Sequence, residues 1–183
     1  IDQITDSAPL TSTEISISGQ SSDQDINYYI SGNYYNQRGL IRESGIERYN
    51  FRTNFDLDLS DKFTTGLRLN AARLNKDNNK VNLSAALYRT ALPERAIYND
   101  EDEFTATNPV SASVYRNPEA DIQLKSDHNY TTNILGSAYL EFTPTENLVI
   151  RSTFSPKIRY TKFNRYNPSQ LPEHRIINQG GDG

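Results

Sequence analysis

Two histidines, one acidic run and a regularly spaced set of charges are the residues of this sequence that could do chemistry. His128 and His174 stand alone, with no second ligand at metal spacing and no acid–base partner, so neither a metal nor a catalytic role follows from them. Asp100-Glu101-Asp102-Glu103 offers the oxygen ligands that calcium takes, but it lacks the DxDxDG spacing of a calcium loop and reads as a solvated acidic loop. Asn82-Leu83-Ser84 and Asn129-Tyr130-Thr131 match a glycosylation acceptor, a pattern short enough to arise by accident. Cysteine is absent, which excludes a disulfide framework, a thiolate metal site and a cysteine nucleophile. No nucleophile, base and oxyanion-stabilising set converges anywhere. The expectation is a protein without covalent chemistry: no enzyme, no cofactor and no metal.

The remaining charges are more informative, because of where they stand. In Arg48 to Ala72, Tyr49, Phe51, Thr53, Phe55, Leu57 and Leu59 alternate with Asn50, Arg52, Asn54, Asp56, Asp58 and Ser60. After Asp61-Lys62 the alternation resumes: Phe63, Thr65, Leu67, Leu69 and Ala71 against Thr64, Gly66, Arg68 and Asn70. Successive side chains of a strand point to opposite sides, so this stretch predicts a hairpin with one apolar and one charged face. What the apolar face touches, a protein core or a lipid bilayer, decides the function.

Composition narrows that choice. The chain has 183 residues, only 35% of them hydrophobic, and a mean hydropathy of -0.74, which is poor for a globular core. Twelve Tyr and seven Phe argue against disorder. A net charge of -4 with no basic cluster argues against nucleic acid as a partner. No apolar run approaches the ~20 residues of a membrane helix. Membrane barrels escape that test, since their strands carry only a two-residue period. The opening IDQITD and closing NQGGDG suggest a piece of a longer protein.

The same alternation recurs along the chain. Thr13–Gly19 and Ile26–Tyr35 predict strands. So do Ile134–Thr143, with Leu140 and Phe142 on one side and Glu141 on the other, and Leu148–Thr161, with Arg151, Lys157 and Arg159 on the polar side. Pro156 predicts a bulge or break in the last of these. Between them, residues 75–131 lack strand periodicity and predict one long loop, with a short helix in 82–88 ended by Pro93 and two Asn-Pro turn openers. Short polar turns thus alternate with long links, as periplasmic turns and extracellular loops do in outer-membrane barrels. Tyr34, Tyr35, Tyr49, Phe63 and Phe142 near strand ends are candidates for interfacial girdles.

The run NYYISGNYYNQRGLIRESGIERYNFRTNFDLDLSDKFTTGLRLN resembles the early barrel of the starch-utilisation-type (SusC/RagA) TonB-linked outer-membrane transporters of Bacteroidetes. The resemblance is carried by Ser18-Gly19, Asn27-Tyr28-Tyr29, Gln37, Gly39, Gly45, Glu47-Arg48-Tyr49-Asn50, Arg52, Asn54, Asp56, Gly66-Leu67 and Asn70. ALYRTALPERAIYNDEDEFTATNPV resembles the family's first large loop, with Glu103 replacing a glycine usual in its acidic stretch, and Gln20 replaces the second glycine usual after Ser18. The resemblance implies an all-β fold: an antiparallel transmembrane β-barrel segment of about six strands of a larger barrel, with long extracellular loops. Residues 1–183 would be partial barrel, 75–131 an extracellular loop, and the plug domain absent from this chain. Ile1 to Ser7 would be the tail of a preceding strand. The function implied is import of oligosaccharides or peptides across the cell outer membrane. A SusD-like surface lipoprotein would cap the barrel, and the TonB complex would act through segments absent here.

In that reading Arg52, Asn54, Asp56, Arg68, Asn70, Glu141 and Arg151 face the lumen, with Asp58, Lys157 and Arg159. Tyr49, Phe51, Phe55, Leu57, Leu67, Leu69, Leu140 and Phe142 face the outer-membrane lipids. The alternatives are a soluble β-sandwich carbohydrate-binding module, which would bury the same apolar faces sheet on sheet, and a β-rich hydrolase with an acid pair in the long loop. A sandwich requires turn signals every ~8–12 residues, which the long strands and the large loop do not supply.

Overall fold

A computed structural model of the chain describes residues 4–21, 25–81, 97–101, 103–105, 117–169 and 171. Seven strands form one antiparallel sheet: β1 Leu10–Gln20, β2 Ile26–Arg38, β3 Gly45–Ser60, β4 Phe63–Asp77, β5 Ser126–Thr145, β6 Leu148–Phe154 and β7 Lys157–Tyr166. Each of the first five pairs with the next along the chain, and β5 then pairs with both β6 and β7. β6 and β7 lie end to end. Ala138↔Phe154 and Ile134↔Ile158 belong to one register, so Pro156 interrupts the ladder without shifting it. Proline has no N–H to donate, but its carbonyl still accepts from the Gly136 amide at 3.0 Å. The sheet therefore has six wall positions. It is open: among the described residues β1 pairs only with β2, and β6 and β7 only with β5.

The strands are longer than their sequence pattern. β4 runs to Asp77 and β5 begins at Ser126, so the long link is 78–125 rather than 75–131. Asn75↔Tyr130, Lys76↔Asn129 and Asp77↔His128 are laddered like the rest. They carry polar groups on both faces, so the two-residue apolar period that betrays a strand is missing there. The 4–7 segment is not a strand tail. It makes a single bridge, Thr5↔Ile41, and turns Ile4 inward. The helix expected in 82–88 and His174 lie outside the described residues.

At one end of the sheet the links are tight: 21–25, 61–62 and 146–147. At the other end, segment 4–9, the 39–44 link and the described residues of the long link fold together around Ile4, Ile41, Val81 and Ile122. There the buried hydrophobic residues of the described chain collect: Ile4, Ile41, Val81, Ala120, Ile122 and Leu171. A short helix, α1 (Pro118–Leu124), completes this cap. The Asn117 side chain accepts from the Glu119 and Ala120 amides, and Pro118 takes the first helical position, where its missing N–H costs nothing. The Asn-Pro expected to open a turn thus opens a helix. Both motifs use the same chemistry, and only the following residues tell them apart.

Candidate functional site

Register decides which side chains share a face, because paired residues project to the same side of the sheet. Phe55 pairs with Leu67, Thr53 with Leu69, Leu57 with Thr65, Thr65 with Leu140 and Phe63 with Phe142. Tyr49 and Phe51 continue the row towards the loop-rich end. All eight residues expected on the apolar face stand together there. The band they form, from Tyr49 to Leu59 on β3, is about as long as the ~9–11 residues a barrel strand needs to cross a bilayer.

The band is uncovered. Ile15, Phe154 and Ile158 are 76%, 72% and 60% exposed, and no large apolar side chain of any strand is buried. Phe63 and Phe142 stack at 4.5 Å at the tight-turn end, while Tyr34 and Tyr49 meet at 5.2 Å at the other. Aromatic pairs thus bracket the band on both sides. Tyr35 does not belong to them. It lies one residue out of phase, on the charged face, under the Arg48 guanidinium at 5.1 Å.

The opposite face carries the polar set. Arg52 pairs with Asn70, Asn54 with Arg68, and Glu141 with Arg151. All seven residues expected on the polar face stand on this one. Near the tight-turn end they condense around Tyr139, whose signal in the sequence was only its place in the alternation. Its hydroxyl donates to Asp56 Oδ1 at 2.7 Å, across the intervening strand β4. Arg151 lies 3.8 Å from the ring centroid and Arg68 5.7 Å. Arg68 also reaches Asp56 at 3.6 Å, and Arg151 reaches Glu141 at 3.5 Å. Gly66 makes this possible: a Cβ there would fall inside the Tyr139 ring and against Asp56. Beside this cluster, Arg52, Asn54, Arg68, Asn70 and Ser137 line a shallow depression of about 180 Å³ together with Leu69, Leu135 and Gly136.

The loop-rich end holds its own ion pairs. Arg42 donates to both carboxylate oxygens of Glu119, at 3.1 and 3.2 Å, tying the 39–44 link to α1. Lys80 Nζ donates to the Ile122 carbonyl at 3.0 Å, and Lys125 pairs with Asp121. Asn117 Nδ2 donates to the carbonyls of Ile97 and Thr105, so the residue that caps α1 also holds the acidic turn. That turn is organised by Asn99, whose Oδ1 accepts from the Glu101 and Glu103 amides at 3.0 and 2.7 Å. Among the described residues no group of three His, Asp or Glu converges as metal ligands would. His128 pairs instead with Asp77 across the ladder. Asp127, far above the apolar band, accepts from Asn78 and Arg165 at 2.8 Å each, and its carboxyl is held below the usual range by the Asn78 hydrogen bond first.

An open antiparallel sheet with one bare apolar band and one charged face is the wall of a membrane β-barrel rather than a soluble domain. Two solved structures share this fold. One, of the RagAB peptide importer in the closed-closed state, matches with TM-score 0.66 and 17% identity over 92% of this chain and 20% of its own. Another, of the RagAB peptide transporter, matches with TM-score 0.69 and 18% identity over 90% and 19%. No family model matches the chain. Among curated proteins, TonB-dependent receptor P26 of Formosa agariphila is 38% identical over 96% of this chain and 17% of its own length. TonB-dependent receptor P3 of the same organism is 26% identical over 93% and 18%. The chain spans less than a fifth of the relatives it matches. It belongs to the TonB-dependent receptors, and its sheet has the fold of a segment of a receptor β-barrel.

Proposed function

We propose that the chain is a length of the wall of an outer-membrane nutrient importer. Its apolar band is solvated by lipid and its charged face lines the lumen. The observation that carries this reading is the location of the buried core. The buried apolar residues belong to the cap, and no large apolar side chain of a strand is buried. A sheet built for water would cover that face, and soluble proteins rarely expose a patch beyond a few hundred Å². The sandwich alternative needs a second sheet, and every described strand belongs to one.

The tight turns would then point to the periplasm, and the cap made by the 39–44 and 78–125 links would face outside. Cargo would be oligosaccharide or peptide, received beneath a SusD-like lipoprotein. The TonB complex would act through parts of the receptor beyond these residues. The wall itself performs no bond-making step. Its charges solvate the lumen and contact whatever fills it.

The test is made on the full receptor. Phe55→Arg and Leu67→Arg each place a cation on the band, where it costs about 2–4 kcal/mol near the midplane. Outer-membrane yield should collapse for both, while Asn54→Arg, one residue along on the charged face, should assemble normally. Equal yields for all three would show that the facing is wrong.

A further inference from the structure

Just beyond the apolar band, on the same face, the register sets out two rows. Tyr34, Tyr49, Arg73, Thr132 and Tyr160 form the first, and Asn36, Glu47, Asn75, Tyr130 and Lys162 the second. The row beneath them is wholly apolar: Gly32, Phe51, Ala71, Ile134 and Ile158. The polarity of the face therefore changes within one row, at the loop-rich end. Cations gather on one side of this boundary. Arg73 lies over the Tyr130 ring with its guanidinium carbon 6.0 Å from the centroid, and its Nε donates to Asn75 Oδ1 at 3.2 Å. Lys162 is the ladder partner of Tyr130 on the other flank. It is exposed, and among the described residues it has no acidic partner.

The acids of the same region are already engaged. Glu47 accepts from the Tyr34 hydroxyl at 3.1 Å and from Asn75 at 3.0 Å, and Asp77 is paired with His128. Glu47 also attracts Arg73, so Lys162 is the cation at this height without an acidic partner among the described residues. Arg73 on β4 and Lys162 on β7 have tyrosines beside them that suit a half-wet, half-apolar layer.

We propose that Arg73, Tyr130 and Lys162 seat the phosphate of an anionic lipid in the outer leaflet. A phosphate presents several acceptor oxygens, which the Arg73 nitrogens, the Lys162 ammonium and the Tyr130 hydroxyl can meet from three sides. The acyl chains of that lipid would lie down the wall over Ala71, Ile134 and Ile158. The seat fixes the height of this part of the wall in the membrane. It rests on the lipid-facing reading of the band, and the experiment separates the two.

Full-length receptor in detergent is mixed with phosphatidylglycerol and phosphatidylcholine in equal amounts, and bound lipid is counted by native mass spectrometry. The wild type should retain phosphatidylglycerol at least several-fold over phosphatidylcholine. Arg73→Gln with Lys162→Gln should remove that preference without changing outer-membrane yield, and Arg52→Gln, on the opposite face, should keep it. Inorganic phosphate at millimolar concentration should not displace the lipid. Unchanged preference in the double variant, or displacement by free phosphate, overturns the seat while leaving the membrane reading intact. Loss of preference in Arg52→Gln alone reverses the faces, and with them the reading on which the seat depends.

Discussion

Tyr139 shows how one side chain organises a wall. It leans over Gly66 to bond Asp56, 83 positions away in sequence, and two arginines lie on its ring. Alternation placed Tyr139, Arg68 and Asp56 on one face, but it does not encode neighbours across three strands. That depends on the register of two ladders, set by a turn and by a link whose interior has no period. The seat on Gly66 is equally invisible until Tyr139 is opposite it. Gly66→Ala should push the ring off its place and break the bond to Asp56. A loss of about 1 kcal/mol is expected, since a bond to a carboxylate is worth somewhat more when fully buried. Tyr139→Phe should cost about the same, and the double variant little more than either. The readout is the temperature at which the folded receptor loses its compact mobility in detergent gels. Additive losses would mean that Gly66 and Tyr139 act independently. Thr53 offers the opposite case. It is 6% exposed on the apolar face, and its hydroxyl has no hydrogen-bond partner. Thr53→Val keeps the shape and removes an unsatisfied group, so it should be neutral or stabilising by up to about 1 kcal/mol in the same assay.

At the scale of elements, the strand cores were legible and their ends were not. Phe51 to Leu59 announces itself because one face must be apolar. Asn75 to Asp77 and Ser126 to Tyr130 keep the ladder but carry polar groups on both faces, so nothing in their composition repeats with period two. The cap was illegible for a related reason: its core joins Ile4 from the segment before β1, Ile41 from one link, and Val81 and Ile122 from another, none with a face of its own. Asn117 holds two parts of it. Asn117→Ala removes a helix cap worth about 1 kcal/mol and the bonds to Ile97 and Thr105, so the Glu119 and Ala120 amides should exchange faster with deuterium. The base of the cap is fastened by Asp127. Its carboxyl pKa is lower in the folded chain than unfolded, because Asn78 and then Arg165 bond the ionised form. Its contribution is therefore present above the ordinary carboxylate pKa and lost as pH falls through the folded value. Protection of the Asn78 amide, taken relative to its intrinsic exchange rate at each pH, should fall in acid in the wild type. In Asp127→Asn that protection should already be low at neutral pH and change little on acidification; an identical acid response in both would remove Asp127 from this role.

For the whole molecule, the same fact that made the fold legible leaves this chain with an uncovered apolar face. A sheet with a two-residue period has one face to hide, and these strands hide it against no other part of the described chain. The isolated 183-residue chain should therefore need detergent or lipid to stay in solution. It would expose the band from Ile15 on β1 to Ile158 on β7, and two strand edges ready to pair with other copies. The polar cap does not compensate, since it covers the loop-rich end and leaves the band bare. Sedimentation of the refolded chain decides the matter. Aggregation without detergent and a single species with it is the expected result. A monomer that unfolds cooperatively in plain buffer would mean that the band finds cover of its own, and the membrane would cease to be the solvent that explains it.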